Sequence, residues 1–271
     1  MNRYVKRAAE LLLPKRVFTT VQSITSRLRT LLYGRPPSLD AIGQWGYRDQ
    51  TKTWGIRLPY YHFTQAHLFD LLHGTDTRLA VVKNSYTETP AGFENGTFYA
   101  PSWTSEIKAS FEFLRNLLGG EFDKYAFVDV GCGKGKVMLV WQHLLNKNSI
   151  EAAVYGVEYS HALSNIAKSN FLKMFGKECD LIVADAASID LSRFGRKLVV
   201  YMNNPFHGET LERFLTKLAP MEAIVVYNTP WHSSAFEEQL YELIYETHGW
   251  HNALRTKVFR TRHSSVPRGG P

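Results

Sequence analysis

Short apolar runs, each closed by glycine, asparagine or an acid, recur through the second half of the chain. Ala126–Val130, Val154–Glu158, Leu181–Asp185, Lys197–Met202 and Ala223–Asn228 each read as a strand, and Ala253–Phe259 reads as a closing one. Between them apolar residues return at helical spacing. Val137–Leu145, about Ser160–Phe175, Gly208–Leu218 (Leu211, Phe214 and Leu218 on one side) and Ala235–Tyr245 are predicted helices. Strands alternating with helices predict an α/β fold built on a doubly wound, mostly parallel sheet.

The first 120 residues are less regular. Residues 1–33 read as two amphipathic helical pieces split by Pro14, with Val17, Val21, Ile24, Leu28 and Leu31 spaced by three or four. Gly34-Arg35-Pro36-Pro37 breaks that pattern as a linker. Residues 38–105 are rich in aromatics and histidine. Within them Gln65–His73 reads as a short helix ended by Gly74, and Tyr86–Trp103 is turn-rich without a clear period. Thr104–Leu118 reads as a helix ended by Gly119-Gly120. The resulting division is a basic helical extension (1–35), a substrate-recognition or lid segment (36–120), an α/β core (121–262) and a disordered tail (263–271).

The most informative segment is Phe127-Val-Asp-Val-Gly-Cys-Gly-Lys-Gly135. A strand drops into three glycines and a helix follows. Glycine leaves room for a ligand to approach the backbone and tolerates positive φ, and the helix start offers unpaired N–H groups. A dinucleotide turn is spaced G-x-G-x-x-G, whereas this one is G-x-G-x-G with an acid two positions before it. The second strand ends in Glu158, placed to hold ribose hydroxyls as acids do in dinucleotide folds. The third ends in Asp185, which also suits a helix cap. The fourth runs into Asn203-Asn204-Pro205-Phe206. Polar groups at successive strand ends line the edge where doubly wound sheets bind ligands.

These motifs, in this order, resemble those of the class I S-adenosylmethionine (SAM) methyltransferases, over roughly Tyr125–Pro230. The resemblance implies a seven-stranded Rossmann-like sheet and SAM as cofactor. It implies that Asp129, Gly131, Cys132, Gly133 and Gly135 hold the methionine part, Glu158 the ribose, and Asp185 the adenine amino group. Asn203–Phe206 looks like the family's [D/N]-P-P-[F/Y] motif, with Asn204 where the first proline usually stands. In that family the motif serves nitrogen acceptors, so Asn203, Asn204, Pro205 and Phe206 become the candidate catalytic residues, with Asn203 also near the cofactor. The glycine turn and Tyr-Gly-Val-Glu158 are similar to those of the non-SET histone lysine methyltransferases, a likeness confined to the SAM half. Tyr99, thirty residues before Asp129, and Glu106 match a tyrosine and acid that close over SAM in similar enzymes. His73–Thr77 resembles a segment before the core in one bacterial methyltransferase group.

Charge refines the picture. The chain carries +7 overall, with 44% hydrophobic residues. Residues 1–35 hold eight Lys/Arg and one acid, residues 255–271 hold five Lys/Arg and no acid, and residues 36–254 hold nineteen basic against twenty-four acidic residues. The expected catalytic body is therefore mildly acidic, which offers no strong case for a nucleic-acid partner. The basic first segment fits a helix packed on the body, a helix lying on an anionic membrane, or an organelle-targeting sequence. Two cysteines and no zinc-type spacing imply no disulfide framework, no metal and a reducing, cytoplasmic setting, with peripheral membrane contact through 1–35 left open.

Methyl transfer from a sulfonium is an in-line displacement that needs positioning and a dry site. Carbonyls at Asn203–Phe206 suit an acceptor N–H, such as a protein lysine or a small-molecule amine or amide. His207 and His232 stand where a base for a hydroxyl acceptor would be needed, which keeps O-methylation of a small molecule, lipid or saccharide as an alternative. A SAM-fold protein that binds without catalysis is the third reading.

Overall fold

The computed structural model describes Gly55, residues 57–81 and residues 93–263. The chain divides into two compact units, 1–64 and 65–271, so neither boundary expected at 35/36 or 120/121 coincides with that division. The basic helices expected over 1–33, the linker at 34–37 and the tail 264–271 lie outside the described residues. In the first unit, one α-helix is described, α1 (Arg57–His62).

The second unit begins with α2 (Leu68–His73), ended by Gly74 in the left-handed conformation at φ 66°. Then comes α3 (Thr104–Leu118), which buries Ile107, Phe111, Leu114 and Leu118, the i, i+4, i+7, i+11 stripe of an amphipathic helix. The core follows, strands alternating with α-helices except between β3 and β4 and between β6 and β7: β1 (Ala126–Val130), α4 (Lys136–Lys147), β2 (Val154–Glu158), α5 (His161–Phe175), β3 (Asp180–Val183), β4 (Lys197–Asn203), α6 (Gly208–Leu218), β5 (Glu222–Asn228), α7 (Ser234–Glu238), β6 (Glu242–Glu246) and β7 (Thr256–Arg260).

The strands form one sheet in the order β3-β2-β1-β4-β5-β7-β6. β1 to β5 pair in parallel, while β7 runs antiparallel to β5 and to β6. The central strands β4 and β5 are almost wholly buried, which explains their unbroken apolar runs. One apolar layer, with Phe127, Trp141, Tyr201 and Val226, packs under α3 and α4. The other, with Val128, Val200, Phe214 and Tyr227, packs under α6 and α7.

One expectation fails here. Ala235–Tyr245 is not a helix: α7 stops at Glu238, Leu240 takes φ 64°, and the chain turns into strand β6. The edge position explains the misreading. β6 pairs on one side only and keeps Glu242, Leu243, Tyr245 and Glu246 exposed, so it lacks the apolar run of an interior strand. It is fixed instead by a bidentate pair from Arg260 Nη2 to the Glu242 carboxylate, both at 2.8 Å.

Sheet order reverses between β1 and β4, and a ligand crevice belongs above that point, at the carboxyl ends of the strands.

Candidate active site

A cavity opens at that switch point. It is lined by the glycine turn after β1, the ends of β2, β3 and β4, and the segment 96–102 that precedes α3. The turn is left-handed three times, with φ 72° at Gly131, 54° at Gly133 and 82° at Gly135, which is the geometry that requires glycine. Space requires it too. A Cβ at Gly131 would stand 2.3 Å from Pro205 Cβ, and one at Gly133 would stand 2.2 Å from Tyr99 Cδ2. The turn is thus packed between the motif after β4 and the pre-core tyrosine.

Glu158 is buried and braces the turn. Its Oε2 accepts from Gly133 N–H at 2.8 Å and its Oε1 from Ser160 N–H at 2.9 Å. Asp129 is buried beside it, and its Oδ2 has no hydrogen-bond partner. Burial, reinforced by the Glu158 charge, pushes the Asp129 carboxyl well above the ordinary carboxylate range, against the Met138 backbone N–H, which favours the charged form. An orphaned buried acceptor is costly unless a donor completes it. Asp185 is half-buried after β3, and its Oδ1 accepts from Ala187 N–H at 3.0 Å.

Tyr99 enters from the pre-core segment. Its hydroxyl donates to Thr77 O at 2.7 Å, and burial raises its pKa far above the phenolic value. Thr77 belongs to a tight knot around Asp70, whose carboxylate accepts from Thr75 Oγ1, Thr77 Oγ1, Thr77 N–H and Arg78 N–H. Asn170 of α5 ties the knot to the glycine turn. Its amide accepts from Asp76 N–H and donates to Asp76 O and to Lys134 O. His73–Thr77 is therefore a strap fastened to the glycine turn.

The motif after β4 departs from expectation in an informative way. Asn204 has φ 45°, which proline cannot adopt and asparagine tolerates. Its side chain turns away from the cavity lining, with Oδ1 accepting from Tyr227 OH at 2.8 Å. Its backbone O accepts from Thr97 Oγ1 at 2.7 Å, and Pro205 O accepts from Thr97 N–H at 2.9 Å. Asn203 Nδ2 donates to Ala100 O, and its Oδ1 accepts from Thr229 Oγ1. Segment 95–97 thus lies against residues 204–207 through an isolated antiparallel bridge between Gly96 and Phe206, with His207 N–H donating to Asn95 O.

Of the residues expected from sequence, Tyr99, Asp129, Gly131, Cys132, Gly133, Glu158, Asp185, Asn203, Pro205 and Phe206 line this one cavity. Gly135 caps α4 behind the turn, and Asn204 faces Tyr227. Glu106 is not among the lining residues. It reaches from the first turn of α3 toward β7, with Thr256 Oγ1 at 3.5 Å from its Oε2. Burial raises its pKa, opposed by the Thr256 hydroxyl. His207 and His232 pair with each other at 5.4 Å between rings, away from the cavity lining. Lys136, the first residue of α4, lines the cavity and was not singled out from sequence, because a lysine after a glycine turn reads as an ordinary exposed helix residue. Among the described residues no group of three or more His, Cys, Asp or Glu could hold a metal, and no helix is long and apolar enough to cross a membrane.

Five parallel strands, a reversal between β1 and β4, and an antiparallel β7 placed between β5 and β6 settle the architecture. The fold is that of the class I methyltransferases. No protein-family model matches the chain, nor does any curated protein. Among solved structures it is similar to the magnesium protoporphyrin IX methyltransferase of Synechocystis PCC 6803 with bound SAM, at 14% identity, 58% of this chain, 77% of that one and TM-score 0.40. It is also similar to a ribosomal protein L11 methylase from Lactobacillus delbrueckii subsp. bulgaricus (15%, 58% and 76%, 0.40). A third likeness is to the Pyrococcus abyssi tRNA (uracil-54, C5)-methyltransferase in complex with S-adenosyl-L-homocysteine (14%, 61% and 40%, 0.41).

Proposed function

We propose that the chain transfers a methyl group from SAM to an acceptor nitrogen. The observation that carries the cofactor reading is the convergence of Asp129, Glu158 and a glycine turn with no room for a side chain on one cavity. The residues fit the group. The free Oδ2 of Asp129 suits an ammonium, Glu158 at the end of β2 suits ribose hydroxyls, and Asp185 suits an adenine amino group. When bound, SAM supplies a methyl carbon already attached to a good leaving group. The protein's residues then have two tasks, holding the acceptor in line and keeping water out.

Two observations favour nitrogen over oxygen. No histidine lines the cavity, so among the described residues no imidazole is placed to take a hydroxyl proton. Asn203 lines the cavity, and its Oδ1 has one lone pair beyond that used by Thr229. An amine or amide N–H can donate to that lone pair, and Phe206 supplies an apolar wall. An amine, whether a protein lysine or a small molecule, must arrive neutral, and a dry pocket lowers its pKa.

Calorimetry with SAM and S-adenosylhomocysteine tests the cofactor reading. Transfer of labelled methyl from SAM to acceptors in a lysate tests the reaction, and fragmentation mass spectrometry of the labelled product separates N- from O-methyl. Cofactor binding without transfer would instead favour a non-catalytic SAM-fold protein. Equal, negligible liposome binding by the full chain and the Δ1–35 chain would remove a membrane-surface role.

A further inference from the structure

An acid and an amine of opposite charge type, both without hydrogen-bond partners, belong to residues that line the same cavity. One is Asp129 Oδ2, in a residue 3% exposed. The other is Lys136 Nζ, in a residue 2% exposed. Both residues line the cavity. Lys136 Nζ sits 3.8 Å from the centroid of Phe69, an aromatic face that holds a cation only weakly. A buried ammonium with no acceptor is expensive, and such a group is retained where a ligand completes it.

We propose that Lys136 is the receptor for the α-carboxylate of SAM, so that Asp129 and Lys136 together read the amino-acid end of the cofactor as a zwitterion. The proposal rests on the SAM reading and adds to it the group that selects for the carboxylate. A free Lys136 is held near neutrality in charge. Burial, with Lys108 on α3 adding to it and Asp70 on α2 opposing it, lowers its pKa to about 7. Across the cavity stand Asp129 on β1 and Glu158 on β2. An arriving carboxylate stabilises the ammonium, so binding above neutrality takes up a proton at Lys136.

Three ligands separate the contributions. SAM carries both the carboxylate and the ammonium, decarboxylated SAM keeps only the ammonium, and 5′-methylthioadenosine has neither. Each is titrated calorimetrically into the full chain and into Lys136→Met, at pH 7, where both ligand amines are mostly protonated, in two buffers of different ionisation enthalpy. Wild type should prefer SAM to its decarboxylated form by about tenfold or more. It should also take up about half a proton more with SAM than with that analogue, a difference from which Asp129 cancels. Lys136→Met should bind the two within about twofold of each other and bind methylthioadenosine as wild type does. The proposal is overturned if wild type shows neither the preference nor the extra proton, or if the variant keeps the preference. If the variant loses all three ligands, the wild-type proton difference decides alone. If wild type binds none of the three, the SAM reading itself fails.

Discussion

Tyr99 and Gly133 touch so closely that the glycine can carry no side chain: a Cβ there would stand 2.2 Å from Cδ2 and 2.3 Å from Cε2 of the ring. The tyrosine is held from behind by its hydrogen bond to Thr77 O, so it cannot swing away cheaply. Gly133 also sits at φ 54°. Gly133→Ala should therefore cost roughly 2–4 kcal/mol from strain and overpacking together. It should also weaken SAM at least tenfold. Thermal unfolding and calorimetry read the two effects, and a variant that binds SAM normally would show that the turn does not contact the cofactor.

Asn170→Ala removes three hydrogen bonds between α5, the strap and the glycine turn. The groups left behind are partly or fully buried, so a loss of about 2–4 kcal/mol is expected in denaturant unfolding. Hydrogen exchange at 74–78 should rise with it. Unchanged protection there would mean that the Asp70 knot holds the strap unaided.

Thr97→Val tests the bridge between Gly96 and Phe206. It deletes the Oγ1 bond to Asn204 O but keeps the N–H bond to Pro205 O. About 1 kcal/mol should be lost, with faster amide exchange at Thr97, Tyr99 and His207. Unchanged exchange at these amides would show that the Oγ1 bond does not hold the segment in place.

Glu106→Gln should leave SAM affinity within about twofold of wild type, since Glu106 does not line the cavity. Its raised pKa means that the native state keeps the proton to higher pH than the unfolded chain. Wild type therefore loses stability as pH rises past about 4.5, and the variant does not. At pH 7 the variant should be the more stable, with the gap closing below pH 4.5. A large loss of SAM binding would return Glu106 to the cofactor site.

For Lys136 the sign is opposite. The folded pKa of about 7 lies below the 10.5 of an ordinary lysine, so between those values the unfolded chain binds the extra proton and stability rises with pH. Lys136→Met removes that slope. Without ligand it should be more stable than wild type by roughly 3–5 kcal/mol at pH 6, converging above pH 10.5. Parallel pH profiles would show a solvated, ordinary lysine.

Local signals in the sequence determined the parallel core. Apolar runs gave β1, β2, β4 and β5, helical spacing gave α3 and α6 to the residue, and three glycines after Asp129 marked the left-handed turn at the head of the sheet. These are properties of short segments, in which period and glycine spacing suffice. The edge strand β6 escaped because its identity depends on a partner, β7, rather than on its own pattern. Pairing also decided the rest of the site. Glu106 and Tyr99 are seven residues apart in sequence, yet α3 turns one toward Thr256 while a hydrogen bond to Thr77 holds the other on Gly133. Asn204 carries a positive φ, and Lys136 is stripped of water under Phe69. Burial and partnership are relations between distant segments, and only packing the chain creates them.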